Sequence, residues 1–291
     1  MSIEVTISEL RDGNRPTLNP DGTVLLESID FSSVDTYLRC PEQWRRRYIL
    51  GERKPPGIAL IEGTSHHASM ESDNKEKLHK GKQLKAAKLT DIFVTRFREE
   101  RKQSEEYHAA AKLKLEWAEE TEDNIIARAK ILHLQYADKY SKLVVPAEVE
   151  EPFSATMPEH FSEKKPLRVH GQIDVLSSTV VYDYKTSAKA KSQQDLDNNL
   201  QLTLYSWAKK KSKVAWIALV KTKEPYVQMI ESVRTPGQWA WGLKVVARAV
   251  DGIRRGSFPL TNPGAFPPPW WCSEKFCGYF STCRGPDEAP A

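Results

Sequence analysis

Val169-His170-Gly171-Gln172-Ile173-Asp174-Val175-Leu176 runs into Ser177-Ser178-Thr179 and returns as Val180-Val181-Tyr182-Asp183-Tyr184-Lys185. Both flanks alternate apolar and polar residues and are rich in Val, Ile and Tyr, the pattern of two short antiparallel strands. A turn closing at Ser178-Thr179 sets Asp174 opposite Asp183, where Cβ atoms lie about 4.5–5.5 Å apart. Lys185, two residues on, shares the face of Asp183 because side chains alternate along a strand. Carboxylates at that separation repel unless a proton or cation lies between them, and hard oxygen donors select Mg²⁺ or Mn²⁺. Such an ion polarises a phosphoryl oxygen and lowers the pKa of water, while a lysine orients the nucleophile and offsets developing charge. That chemistry is phosphodiester hydrolysis. The turn lacks the Asn-Gly or Asp-Gly pair that fixes a two-residue loop, and Asp with Lys on a hairpin also makes an ordinary solvated face.

Gly171-Gln172-Ile173-Asp174 followed by Asp183-Tyr184-Lys185 resembles motifs II and III of the PD-(D/E)XK nucleases, in their RecB and Cas4-like branch. Two further marks of that branch stand in order, Gly63-Thr64-Ser65-His66-His67 upstream and Gln201-Leu202-Thr203-Leu204-Tyr205 downstream. The resemblance implies His67 as a metal ligand, Asp174 and Asp183 as metal carboxylates joined by the Tyr184 carbonyl, and Lys185 as the catalytic lysine. It places Gln201 and Tyr205 on the helix after the hairpin, near the substrate strand. His66, about a quarter-turn from His67 on a helix, is expected to pack or meet solvent. Glu148, Glu150 and Glu151 lie on a strand entering the same sheet, where the family often carries an acid; the sequence does not choose among them.

Cys40 stands early, and Cys272, Cys277 and Cys283 cluster near the C-terminus. A chain without a secretory leader is expected to keep its thiols reduced, so clustered cysteines point to a metal site. One early cysteine plus a C-terminal trio resembles Cas4-like and AddB-type nucleases, in which four thiolates hold a [4Fe–4S] cluster. The gap of four residues between Cys272 and Cys277 departs from the usual tight spacing and leaves zinc open. Cysteine ligation of an Fe–S cluster accommodates varied spacings. Joining Cys40 to the trio would close a loop over most of the chain and act as a staple, because binding energy at a site absent from the unfolded chain is folding energy.

The 291 residues carry a net charge of +4, and the isoelectric point is about 8.7 with a mean hydropathy of −0.56. This balance suits a polyanion partner without requiring one. The absence of a long apolar run or signal-peptide blocks leads to the expectation of no membrane partner and a cytoplasmic location, in a host cell if phage-encoded. Four segments are expected: residues 1–30 as a leader or hairpin, 31–143 as a helical region with Cys40, His67 and a charged arm, 144–256 as the nuclease core, and 257–291 as a Pro-rich stretch with the cysteine trio. Ser32 to Asp35 reads as a helix N-cap. Residues 58–140 read as helical with breaks near Asp73-Asn74 and Gly81. Its Lys- and Glu-rich part, 75–114, reads as an exposed arm or as an insertion roofing a groove for a single strand. Strands follow at 144–152, 167–176, 180–185, 214–221 and 226–233, with helices at 193–211 and 236–255.

The expected class is α/β, a mixed central sheet flanked by helices in the restriction-endonuclease-like PD-(D/E)XK core, with a helical N-terminal part and an Fe–S staple. The resemblance implies a Mg²⁺- or Mn²⁺-dependent DNA exonuclease acting on single-stranded ends in recombination, repair, phage DNA metabolism or spacer acquisition, with a recombination or CRISPR-type protein partner. Two alternatives stay open: a non-catalytic Fe–S DNA-binding adaptor, and a structure-specific endonuclease on the same core.

Overall fold

The computed structural model describes residues 16–52, 54–117, 120–161, 166–261 and 269–283. They fall into two compact units, the first comprising Met1–Lys54, Ser154–His170 and Leu243–Ala291, the second Pro55–Phe153 and Gly171–Gly242.

In the second unit, β4 (Glu148–Thr156) and β5 (Arg168–Leu176) contribute their portions beside β6 (Val180–Ser187), β7 (Lys213–Val220) and β8 (Tyr226–Val233). The order is β5-β6-β7-β8, with β4 also paired to β5. β6 runs antiparallel to β5 and parallel to β7, which runs antiparallel to β8. A parallel pair inside a sheet is normally covered on both faces, and the apolar run Val214 to Val220 is buried throughout. The even-numbered residues of β6, Val180, Tyr182 and Tyr184, join Met70, Leu132 and Tyr136 in one core. The odd-numbered Asp183 and Lys185 therefore belong to the opposite face.

Three helices lie upstream, α3 (Ile58–Lys80), α4 (Ala86–Ala110) and α5 (Glu122–Gln135), after α1 (Phe31–Arg39) and α2 (Pro41–Trp44) of the first unit. The expected break at Asp73-Asn74 does not occur. Both side chains are spent on tertiary bonds: Asp73 accepts from the Leu84 amide, Tyr136 and Ser141, and Asn74 donates to Tyr184. α3 ends instead at Gly81, in the left-handed conformation, where glycine carries no Cβ penalty. The charged α4 is anchored on one side, for Leu89, Phe93 and Phe97 are fully buried and the last two pack with Ile61, Ile125 and Ala129.

The helix expected over 193–211 is split into α6 (Gln193–Asp197) and α7 (Leu200–Lys209). Asn199 N-caps α7, its side chain accepting from the Leu202 amide, and asparagine at such a position favours a new start over continuation. α8 (Pro236–Arg254) follows β8.

In the first unit β1 (Thr17–Leu18) and β2 (Val24–Leu25) form a small hairpin. β3 (Ser28–Asp30) pairs in parallel with Arg168–His170. The N-cap of α1 is Asp30, which accepts from the Ser33 amide, two residues before the expected Ser32. No helix among the described residues is long and apolar enough to cross a membrane.

Candidate active site

The β5–β6 turn closes at Ser178-Thr179, as the alternation predicts. Ser177 supplies what the missing Asn-Gly would: its amide donates to the Val180 carbonyl at 2.9 Å, and its hydroxyl accepts from the amides of Val180 (2.8 Å) and Thr179 (3.2 Å). The ladder pairs Leu176 with Val181 and Val175 with Tyr182. The ladder ends there, with Asp174 the next residue on β5 and Asp183 the next on β6. There the Tyr184 amide donates to Asp174 Oδ2 at 2.7 Å, so the carboxylate is tied to the strand that carries the other acid.

Asp183 is 2% exposed. Lys185 Nζ donates to its Oδ1 at 3.1 Å and lies 2.9 Å from Oδ2, which is buried and accepts no hydrogen bond. Burial alone would lower the Lys185 pKa, but the adjacent Asp183 carboxylate outweighs it and holds the ammonium above its ordinary value. Lys185 is thus a charged donor rather than a base. Its Nζ also donates to Gln201 Oε1 at 2.9 Å, and Gln201 Nε2 donates to the Tyr205 hydroxyl at 3.1 Å. Gln201 and Tyr205, four residues apart, share one face of α7.

His67 reaches the site from α3, with Nδ1 3.5 Å from Asp174 Oδ2. His66 turns inward and is fully buried, its Nδ1 3.1 Å from Nε2 of His133. Burial pushes both imidazoles down, His133 to about 4, so both are neutral at pH 7.

Of the three glutamates left undecided by sequence, Glu150 is the one at the acids. Burial, then the charges of Asp174 and Glu71, push its carboxyl up to about 8. Glu148 pairs with Lys209 at 2.6 Å, and Glu151 is exposed. Glu150 holds φ at 53°, an uncommon left-handed conformation for a residue with a side chain, and its carbonyl accepts from Gln172 Nε2 at 3.0 Å. Glu71, not singled out by sequence, lies four residues after His67 and so on the same side of α3; that spacing was its available signal.

Asp174 is itself raised to about 6, chiefly by burial and further by Asp183, against the pull of His67. Among the described residues no group of three or more His, Cys, Asp or Glu is arranged to hold a metal ion. The donor chemistry nevertheless fits a hard divalent cation: a buried, hydrogen-bond-free Asp183 oxygen and two neighbouring carboxyls destabilised as anions are what such an ion relieves.

Gly171 has a steric reason. A Cβ there would stand 3.1 Å from both Phe153 Cε1 and Tyr205 Cε1, whose rings meet edge to face at 5.3 Å. Gly171→Ala is expected to cost about 1–3 kcal/mol through overpacking, read as a lowered Tm. By contrast, a Cβ on Gly63 meets only Thr186 Oγ1 at 4.0 Å, so Gly63→Ala is expected to leave Tm unchanged or higher.

All four cysteines belong to the first unit, each half-buried and none in a disulfide. Cys40 caps the junction of α1 and α2. Burial raises the Cys283 thiol, and Cys40 and Cys277 raise it further, while Arg46 opposes them. The C-terminal segment is tied to the N-terminal helices: Trp271 Nε1 donates to the Arg39 carbonyl at 3.2 Å, and Tyr279 donates to the Glu52 carbonyl.

Among solved structures, the fold is similar to that of a provisionally named exonuclease from Eubacterium rectale, with a TM-score of 0.58 and 11% identity over 100% of this chain and 97% of that one. The protein crystallised as SSO0001 matches at a TM-score of 0.35 and 12% identity over 86% of this chain and 96% of that one, a likeness too low to bear on the argument. No curated protein matches the chain. The family profile of the PD-(D/E)XK nucleases, however, spans residues 29–284, and it takes in His67, Asp174, Asp183, Lys185 and all four cysteines. The chain belongs to the PD-(D/E)XK nuclease superfamily.

Proposed function

We propose that this protein is a Mg²⁺- or Mn²⁺-dependent DNA exonuclease of the RecB and Cas4-like branch, acting on single-stranded ends. The observation that carries the reading is the convergence of Asp174, Asp183 and a protonated Lys185 at the open end of one hairpin. Asp174, Asp183 and His67 would hold the ion, with the Tyr184 carbonyl and Glu150 as further oxygen donors. When bound, a divalent cation supplies Lewis-acid polarisation of the phosphoryl group and an acidified water.

The remaining work falls to the chain itself. The Lys185 ammonium, fixed between Asp183 and Gln201, offers a proton toward the charge that develops on the phosphoryl oxygens. Asp174, held by the Tyr184 amide, keeps its carboxylate aimed at the same point. Glu150 and Asp174, which burial and the neighbouring carboxylates destabilise as anions, are the groups whose negative charge a bound cation would restore.

End dependence separates exonuclease from endonuclease. Linear single-stranded DNA is expected to be degraded and covalently circular single strands to survive under the same conditions; rapid cutting of circles would move the reading to an endonuclease. Loss of neither, with DNA binding retained, would favour a non-catalytic adaptor.

The four cysteines are proposed to hold a [4Fe–4S] staple, with zinc as the other occupant. Cys277→Ala is expected to give colourless, aggregation-prone protein, read by absorbance and light scattering; a soluble, still brown mutant would count against the cluster.

A further inference from the structure

We infer that Gln201 and Tyr205 are positioning residues that act through Lys185, an inference that rests on the nuclease reading above. An ammonium has donors and no acceptor, so the Gln201 carboxamide must turn its oxygen toward Lys185, where Oε1 lies 2.9 Å from Nζ. Its nitrogen then faces Tyr205, whose hydroxyl accepts at 3.1 Å. The ammonium fixes which end of the amide it meets, and the tyrosine holds the other end in place.

Tyr205 is in turn held by the strand that carries Asp174. Its ring lies edge to face with Phe153, over the backbone of Gly171, where a Cβ would come within 3.1 Å of both rings. The chain of contacts runs from Gly171 to Tyr205, Gln201, Lys185 and Asp183, all within one unit. It links three separate sequence motifs to the placement of one ammonium group. A lysine side chain has several rotatable bonds and large rotamer entropy. Asp183 alone leaves the direction of Nζ open, and a second acceptor on α7 fixes it.

The test uses Gln201→Met, close in size and helix propensity but without the acceptor, alone and combined with Lys185→Ala. On a labelled single-stranded oligonucleotide with Mn²⁺, Gln201→Met is expected to lower kcat about tenfold, the equivalent of one charge-assisted hydrogen bond, with KM little changed. Lys185→Ala/Gln201→Met is expected to be no slower than Lys185→Ala, because the second change removes a support whose object is already gone. Multiplicative losses, or a rise in KM carrying the whole effect, would make Gln201 a substrate-binding residue and overturn the inference.

A second measurement does not depend on turnover. Acetylation of Lys185 by acetic anhydride, followed by mass spectrometry against surface lysines, is expected to rise several-fold in Gln201→Met and less in Tyr205→Phe. Unchanged labelling in Gln201→Met would overturn the positioning role even where hydrolysis is intact. Increased labelling in Gln201→Met, where the wild type itself shows no hydrolysis, would uphold the geometry and place the failure with the nuclease reading.

Discussion

Asp183→Asn is expected to lower kcat by about 10³-fold or more, because it would remove the carboxylate proposed to hold the cation, worth several kcal/mol of charge stabilisation. Asparagine keeps the volume of a residue that is 2% exposed, so far-UV circular dichroism is expected to be unchanged. The loss should therefore be one of chemistry, with Mn²⁺ binding weakened in calorimetric titration. Lys185 loses its ionic partner at the same time, and adding excess Mn²⁺ is expected to restore little activity. Retention of wild-type Mn²⁺ affinity by Asp183→Asn would show that this carboxylate is not a ligand.

Asp73→Ala is expected to be strongly destabilising in the second unit, by about 3–5 kcal/mol, since it strips the acceptor from buried donors and leaves the partly buried Lys77 ammonium with carbonyl partners but no carboxylate. Asp73 is wholly buried and accepts from the Leu84 amide at 2.7 Å, Ser141 at 2.6 Å and Tyr136 at 3.0 Å, with Lys77 3.2 Å away. Tyr136 and Asn74 extend the network to the Tyr184 hydroxyl. The network joins α3, which carries His67, to β6, which carries Asp183 and Lys185. Asp73→Ala is expected to fall in denaturant midpoint and to lose activity on mild warming while remaining active in the cold. An unchanged midpoint would mean that the donors find other partners.

The hairpin was legible because a strand's two-residue period and a short polar break fix register locally, so Asp174 and Asp183 could be brought together from sequence. Glu150 was not, because three glutamates within four positions look alike there. They are distinguished only by a left-handed backbone at Glu150 and by Lys209, which lies far along the chain and occupies Glu148. The same holds for Gly171: the pattern marked it, but Phe153 and Tyr205, which exclude a side chain there, come from other elements. Asp73-Asn74 read as a break because such residues usually compete with the helix through local bonds; in the fold their bonds are tertiary and α3 continues. Gln201 was placed near substrate by resemblance, whereas its carboxamide turns to Lys185, a contact between α7 and β6 that no local pattern encodes.

The central claim is that this hairpin hydrolyses phosphodiester bonds with a divalent cation, and its most direct test is the fate of end-labelled linear single-stranded DNA incubated with anaerobically purified protein. Cleavage that requires Mg²⁺ or Mn²⁺ in the wild type and is lost in Lys185→Ala is the result the account predicts. No cleavage by well-folded wild type with either ion, or equal cleavage by Lys185→Ala, would contradict it.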